Sequence, residues 1–240
     1  MKVFAISDLH LSLGAPFVKG CENQLLKPMD KFGEFWNDYH EKIYENWQAL
    51  VGEHDYVLMP GDTSWAMKLA DCRYDFDFLA QLPGTIILGR GNHDYWWQGI
   101  SKLRAALPPN VIPLHHDSVI VGSKSVCSTR GWSLPFGDDW TAADQRIYQR
   151  ELLRLEMALE DGKKSALPLV VMLHYMPFFY DGSASQFVEL MKKYQVEICL
   201  YGHLHGSNCH KAVHGLKDGI NYFNVSCDCL SFCPQLIWEE

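Results

Sequence analysis

The chain has 240 residues, a length that fits a single domain over residues 1–240, because single cores stop growing only near about 250–300 residues. With 48% hydrophobic and 21% charged residues it is neither disordered nor fibrous. Its 29 Asp and Glu against 21 Lys and Arg leave a net charge of −8, so it lacks the basic excess that draws proteins to nucleic acid or anionic lipid.

No stretch approaches the roughly 18–20 apolar residues of a membrane span. The apolar start Met1–Ile6 is interrupted by Asp8 and His10 before a signal-peptide core can form. The reading is a cytoplasmic protein with no membrane partner and nucleic acid disfavoured. Its eight cysteines are then expected as thiols, since a reducing cytosol and a chain of this size need no disulfide. Cys227, Cys229 and Cys233 lack the paired spacing of structural zinc sites. The period-2 run from Tyr222 to Cys229 places Cys227 and Cys229 on one face of a strand.

In chain order, short aliphatic runs bounded by Gly, Pro, Asn or Asp predict strands at Val3–Ser7, Tyr56–Met59, Thr85–Leu88, Ser118–Val121, Leu169–Leu173, Glu197–Tyr201 and Ile220–Val225. The residues Leu11–Lys31 carry two glycines and two prolines and no period, so they read as a long loop, either a lid or a surface excursion. Trp36, Ile43, Trp47 and Leu50 share one helical face, and Ile147, Leu152, Leu155 and Leu159 mark another. Further helices are expected near Trp65–Leu82, Gly99–Leu107 and Ser185–Tyr194. Strands alternating with helices imply parallel pairing, and the Val119–Val121 and Val126–Ser128 hairpin adds an antiparallel portion.

What ends these strands is the informative pattern. The first runs into Asp8-Leu9-His10, the next two into Gly61-Asp62 and Gly91-Asn92-His93-Asp94, and the later ones into His174 and Gly202-His203-Leu204-His205. Carboxyl ends of parallel strands converge on one crevice, so these residues meet there. Burying carboxylates and imidazoles together is costly unless something positive is bound among them. An oxygen and nitrogen set without thiolate suits Mn, Fe, Zn, Co or Ni, and its size exceeds the needs of one ion, so two divalent ions sharing a carboxylate fit better.

The ordered blocks D-x-H, G-D, G-N-H-D, H and G-H-x-H, from Asp8 to His205, resemble the five-block motif of the calcineurin-like metallophosphoesterases. The resemblance implies an α/β protein, a four-layer α/β/β/α sandwich of two mixed sheets with a binuclear centre. Matched residue by residue, it implies that Asp8, His10 and His205 hold one ion, that Asn92, His174 and His203 hold the other, and that Asp62 bridges both. His93 takes the place of the family's catalytic histidine, which is not a ligand. The implied reaction is hydrolysis of a phosphoester by a metal-bridging hydroxide, with manganese the expected best ion and His93 protonating the leaving oxygen.

The expected substrate is a small phosphodiester or phosphomonoester. The hydrolases of lipid A synthesis show Arg where this chain has His93, nucleases of the family bring basic surfaces, and its protein phosphatases carry G-N-H-E. No Arg or Lys cluster for a dianionic phosphate is visible in the sequence, so diesters should react at least as well as monoesters. The alternative is a catalytically silent binding or regulatory module on the same fold, against which stand the full set of ligand types and His93. Asp94 is expected to cap the next helix, Arg90 to make an ordinary salt bridge, and Trp96 and Trp97 to pack. His115, His116, His210 and His214 are expected at the surface.

Overall fold

The computed structural model describes residues 1–135 and 140–240. One sheet has five strands in the order β11-β1-β2-β3-β4: β1 (Lys2–Ala5), β2 (Tyr56–Met59), β3 (Thr85–Leu88) and β4 (Val111–Pro113) are parallel, and β11 (Gln235–Glu239) runs antiparallel to β1. The other has six, in the order β5-β6-β7-β8-β10-β9. There β6 (Lys124–Thr129), β7 (Leu169–Leu173), β8 (Ile198–Tyr201) and β10 (Ile220–Asn224) are parallel, while β5 (Ser118–Val121) and β9 (Gly215–Lys217) are antiparallel edges. Short edge strands of this kind limit open pairing surface.

Alternation along β1 shows how the layers arise. Val3 and Ala5 point to the seam between the sheets, where they join Leu58, Ile87, Val126, Val170, Met172 and Leu200. Phe4 points the other way, into the cluster with Ile43 and Trp47 of α1 (Tyr39–Leu50), the apolar side of α2 (Arg73–Ala80) and Leu103 of α3 (Ile100–Ala106). On the far face of the second sheet, α4 (Ala142–Lys163) and α5 (Gln186–Lys193) cover Val171 and Cys199 with Leu155, Leu159, Phe187 and Met191. Both faces of both sheets are therefore buried, and for that reason the central strands read as continuous apolar runs. The result is the expected α/β/β/α sandwich.

Several boundaries move. The segment 65–82 is helical only over the short 3₁₀ turn Leu69–Cys72 and α2, since Trp65 turns away to pack on His10. The edge strands β4, β9 and β11 are too short or too polar to stand out in the sequence. Leu11–Lys31 is a loop as expected, pinned by bridges from Leu11 to Ser64 and Leu13 to Leu25, and it continues into 3₁₀ turns at Met29–Phe32 and Glu34–Trp36. Strand β10 stops at Asn224, so Cys227 and Cys229 lie in a turn and not on a strand face. Contrary to the expected free thiols, Cys229 is bonded to Cys209, because the 3₁₀ turn Gly206–Lys211 brings their Cα atoms to 5.6 Å. Among the described residues no helix is long and apolar enough to cross a membrane.

Asp75 of α2 fastens the start of the long loop. Its carboxylate accepts the Leu13 backbone N–H at 2.8 Å and the Ser64 hydroxyl. Burial raises its pKa from the ordinary 3.8 to about 6, against the pull of those two hydrogen bonds. The folded protein thus keeps this proton to higher pH than the unfolded chain, and the group's contribution to stability falls as pH rises from about 4 to 6. Asp75→Asn does not titrate, so its stability relative to wild type should rise by up to about 3 kcal/mol between pH 4 and pH 7. Denaturant unfolding across that range checks this, and a pH-independent difference would contradict it.

Candidate metal centre

The carboxyl ends of β1, β2, β3, β7 and β8 open on one crevice at the junction of the two sheets. The chain turns sharply there: Asp8, His10, Asp62 and His203 have φ of 59°, 47°, 52° and 71°, a left-handed conformation that Asp and His tolerate better than branched residues. The turn swings each side chain back over the strand ends. Glycine before a ligand has a steric cause, since a Cβ on Gly91 would overlap Asp62 Oδ1 and one on Gly202 would overlap Asp8 Oδ2.

Two groups of donors result. Asp8, His10 and His205 present ligand atoms within 4.8 Å of one another, as do Asp8, Asp62 and His174. Asp62 Oδ2 lies 3.9 Å from His10 Nε2 and 3.4 Å from His174 Nε2, between the groups. Asn92 Oδ1 is 2.7 Å from His174 Nε2, and the His203 ring lies 5.1 Å from that of His174. The structure thus brings together all seven residues expected as ligands. His93 stands beside them: its backbone N–H donates to Asp62 Oδ1 at 2.7 Å, and its ring faces Trp65 at 4.4 Å.

The electrostatics describe a site short of positive charge. Burial alone would raise Asp8, but His205, His174 and His10 outweigh it and hold the carboxyl far below its usual range. Burial would likewise depress His174 and His205, yet Asp62 lifts the first to about 8, and Asp228 with Asp8 lifts the second to about 10. Burial wins at His10 and His203, both pushed down to about 4. His10 Nδ1 is buried without a hydrogen-bond partner among the described residues. Buried carboxylates balanced only by imidazole protons, with neutral imidazoles beside them, fit divalent ions as the missing charge.

Supporting residues fix the ligand atoms. His205 Nδ1 faces Asp228 Oδ1 at 2.9 Å and His174 Nδ1 faces the Pro60 carbonyl at 3.2 Å. Each Nδ1–H donates there and leaves Nε2 free to ligate. Asp94 does not cap a helix. It is buried and accepts the backbone N–H groups of Asp62, Thr63 and Gly91 and the Trp96 indole N–H, which ties the β2 and β3 loops together. Sequence reasoning missed Asp228 altogether, because nothing local in Cys227-Asp228-Cys229 reveals a partner 23 positions away.

A cavity of about 390 Å³ opens over the ligands, walled by Met29, Phe32, Trp36 and Trp65. The long loop and its continuation thus line the site. Trp96 and Trp97 pack in the core, as expected. Arg90 does not face this cavity but a second, smaller one, which it shares with His115 and His116; those two histidines, expected at the surface, are half-buried. His210 and His214 are exposed, as expected.

The family model for the calcineurin-like phosphoesterases matches residues 1–207. The chain belongs to that family. Among solved structures, AQ665 from Aquifex aeolicus, a protein of unknown function, is 17% identical with a TM-score of 0.50, over 98% of this chain and 95% of that one. GAP50, the anchor in the inner membrane complex of Plasmodium, is 12% identical with a TM-score of 0.46, over 95% and 72%. At these identities the likeness to AQ665 concerns the fold alone. No curated protein matches the chain. This phosphoesterase therefore carries a site of Asp and His clusters able to hold metal in a family that acts on phosphoesters.

Removing the carboxylate behind His205 should loosen that ligand. Asp228→Ala is expected to weaken manganese binding about 10–100-fold, measured by competition with a chelating dye, while Asp228→Asn, which keeps an acceptor for Nδ1–H, should lose less. Equal affinity in all three proteins would show that His205 does not depend on Asp228.

Proposed function

We propose that this phosphoesterase hydrolyses a small phosphoester at a binuclear centre, with Asp8, His10 and His205 on one divalent ion, Asn92, His174 and His203 on the other, and Asp62 between them. The observation that carries the reading is the position of Asp62 Oδ2, within 4 Å of an imidazole nitrogen from each group. When bound, the two ions supply a water of lowered pKa as nucleophile and positive charge for the phosphoryl oxygens; manganese suits this oxygen and nitrogen set.

The chain's own residues do the rest. Backbone N–H groups of His203 and His93 donate to Asp8 and Asp62, which aims both carboxylates into the crevice, while His205 beside Asp8 and His174 beside Asp62 favour their ionised forms. His93 borders the cavity, and we assign it the proton for the leaving oxygen. Burial, partly offset by Asp62, lowers its pKa below 6.5, which makes its protonated form scarcer at neutral pH but a stronger acid.

The cavity wall selects the ester. Trp65 stacks on His10 with 4.6 Å between centroids and 19° between planes, and Trp36 lies 5.9 Å from His205. None of the residues lining the cavity among those described is Lys or Arg. An uncharged flat group suits such a wall better than a second anionic one, so a small diester with an aryl or similar planar group is the preferred substrate.

His93→Ala should lower kcat/KM on alkyl esters by about 10²–10⁴-fold and on nitrophenyl esters much less, with metal content unchanged. Equal losses on both would reject the acid role. Trp65→Ala should raise KM for an aryl diester about fivefold, equivalent to roughly 1 kcal/mol of lost ring contact, at unchanged metal content. Chelation should abolish turnover and manganese restore it, whereas a fully metal-loaded protein with no turnover on monoesters or diesters would favour the silent binding module.

A further inference from the structure

The second cavity lies on the other side of the β3 loop. Arg90, Arg130 and Arg154 line it together with one carboxylate, Glu151, and Arg150 reaches the same carboxylate from outside the lining. Glu151 of α4 is completely buried. It accepts Arg154 Nη1 at 2.7 Å and the Thr129 hydroxyl at 2.9 Å, with Arg150 Nη2 at 3.5 Å and Arg130 Nη2 at 3.9 Å. Arg90 lines the same cavity, and its Nε is buried without a hydrogen-bond partner among the described residues. Three guanidiniums thus lie within 4 Å of one carboxylate and Arg90 lines the same pocket, so positive charge outweighs Glu151 there even with the Asp94 carboxylate acting on Arg90.

A structural ion pair needs no such excess. One Arg satisfies one Glu, and each further buried guanidinium adds desolvation and repulsion. Burial lowers the pKa of Arg90 and Arg130, with Arg150 and other arginines pushing the same way. The same field, after burial and His116, helps push His115 down to about 4. Glu151 has Oε1 engaged by Arg154 and Oε2 by Thr129, and Arg90 Nε finds no acceptor among the described residues.

We propose that this arginine cluster is an oxyanion site, separate from the metal centre, that takes a phosphate-class dianion. Planar guanidinium forks match the oxygens of a phosphoryl group two at a time, which a carboxylate-only network does not use. The enclosed part of the cavity is about 10 Å³, room for a single water, so the anion sits on the outer side of the cluster, reached by Arg154 of the lining, 28% exposed, and by Arg150 beside Glu151, 52% exposed. The site is joined to the centre through backbone: Arg90 lies two positions before Asn92, and the Arg130 carbonyl accepts the N–H of His174 at 3.0 Å. The phosphoryl group is either free inorganic phosphate or a second phosphate on the substrate.

Calorimetric titration of the manganese-loaded protein with inorganic phosphate tests this. Two phosphates should bind per chain, one of them surviving chelation of the metal. Arg150→Ala and Arg154→Lys should each weaken the chelation-resistant phosphate by about tenfold or more, leaving metal content and the other phosphate unchanged, whereas Arg146→Ala, an exposed charge removed from the same helix, should do nothing. Arg150 is exposed enough to truncate without a folding defect, and Arg154→Lys keeps the charge while losing the fork. A single phosphate that disappears on chelation and ignores both variants would overturn the proposal, and so would an equal loss from Arg146→Ala, which would mean diffuse charge. The chelated protein reports on this site even if the chain proves to hydrolyse nothing. Comparing KM for a bisphosphorylated ester and its monophosphorylated counterpart separates the sources: Arg150→Ala raises only the first if the substrate supplies the phosphate, and neither if free phosphate is the ligand.

Discussion

Two carboxylates, Asp8 and Asp62, are held almost wholly out of water at the junction of two sheets, and most of the local structure answers to the cost of keeping them there. An isolated buried carboxylate is too costly to persist ionised. Here each receives backbone N–H groups, and Asp8 also accepts the hydroxyls of Ser7 and Ser226. The parallel order of the central strands aims several chain turns at the same point. Left-handed turns bend the side chains inward, and glycines leave room for the carboxylate oxygens. Imidazoles make up the charge in the protein itself, and divalent ions would do so more completely.

Carboxylates also do the fastening one layer further out. Asp94 ties three backbone N–H groups from two loops, Asp75 holds the start of the long loop, and Asp228 fixes His205 and Gly206. A single carboxylate satisfies several donors at once, so one residue stitches loops that no regular ladder joins. This division of labour explains why an acidic chain devotes so many of its acids to interior positions, and why net charge says little about the field at its crevice.

The strand framework and the seven polar residues that meet in the crevice are legible in the sequence because both are local. An aliphatic run followed by Gly-Asp or Gly-His records a buried strand and the turn beyond it in consecutive letters. What could not be read depends on distance. Asp228 partners His205 across 23 positions, Cys229 pairs with Cys209 across a turn that looked like strand, and Asp94 binds backbone, which leaves no mark on composition. The arginine cluster joins Arg150 and Arg154, one turn apart on α4, to Arg130 after β6 and to Arg90 after β3, which lies 60 positions before Arg150. Trp65 and Trp36 wall the cavity although the sequence drew attention to Trp96 and Trp97, since burial and not identity decides which indole meets a ligand.

The candidate donors in the crevice run from residue 8 to residue 205, and the carboxylate that faces the last of them, Asp228, lies further on still. No short stretch of chain contains enough donors to capture an ion alone, in contrast to small zinc modules whose closely spaced ligands nucleate folding. Loops of this length close slowly, although the entropy of closing them grows only with the logarithm of their size. Asp8 and His10 on β1 can meet His203 and His205 beyond β8 only once both sheets have formed. A coordination shell on these residues would therefore be a product of the finished fold, not a nucleus for it.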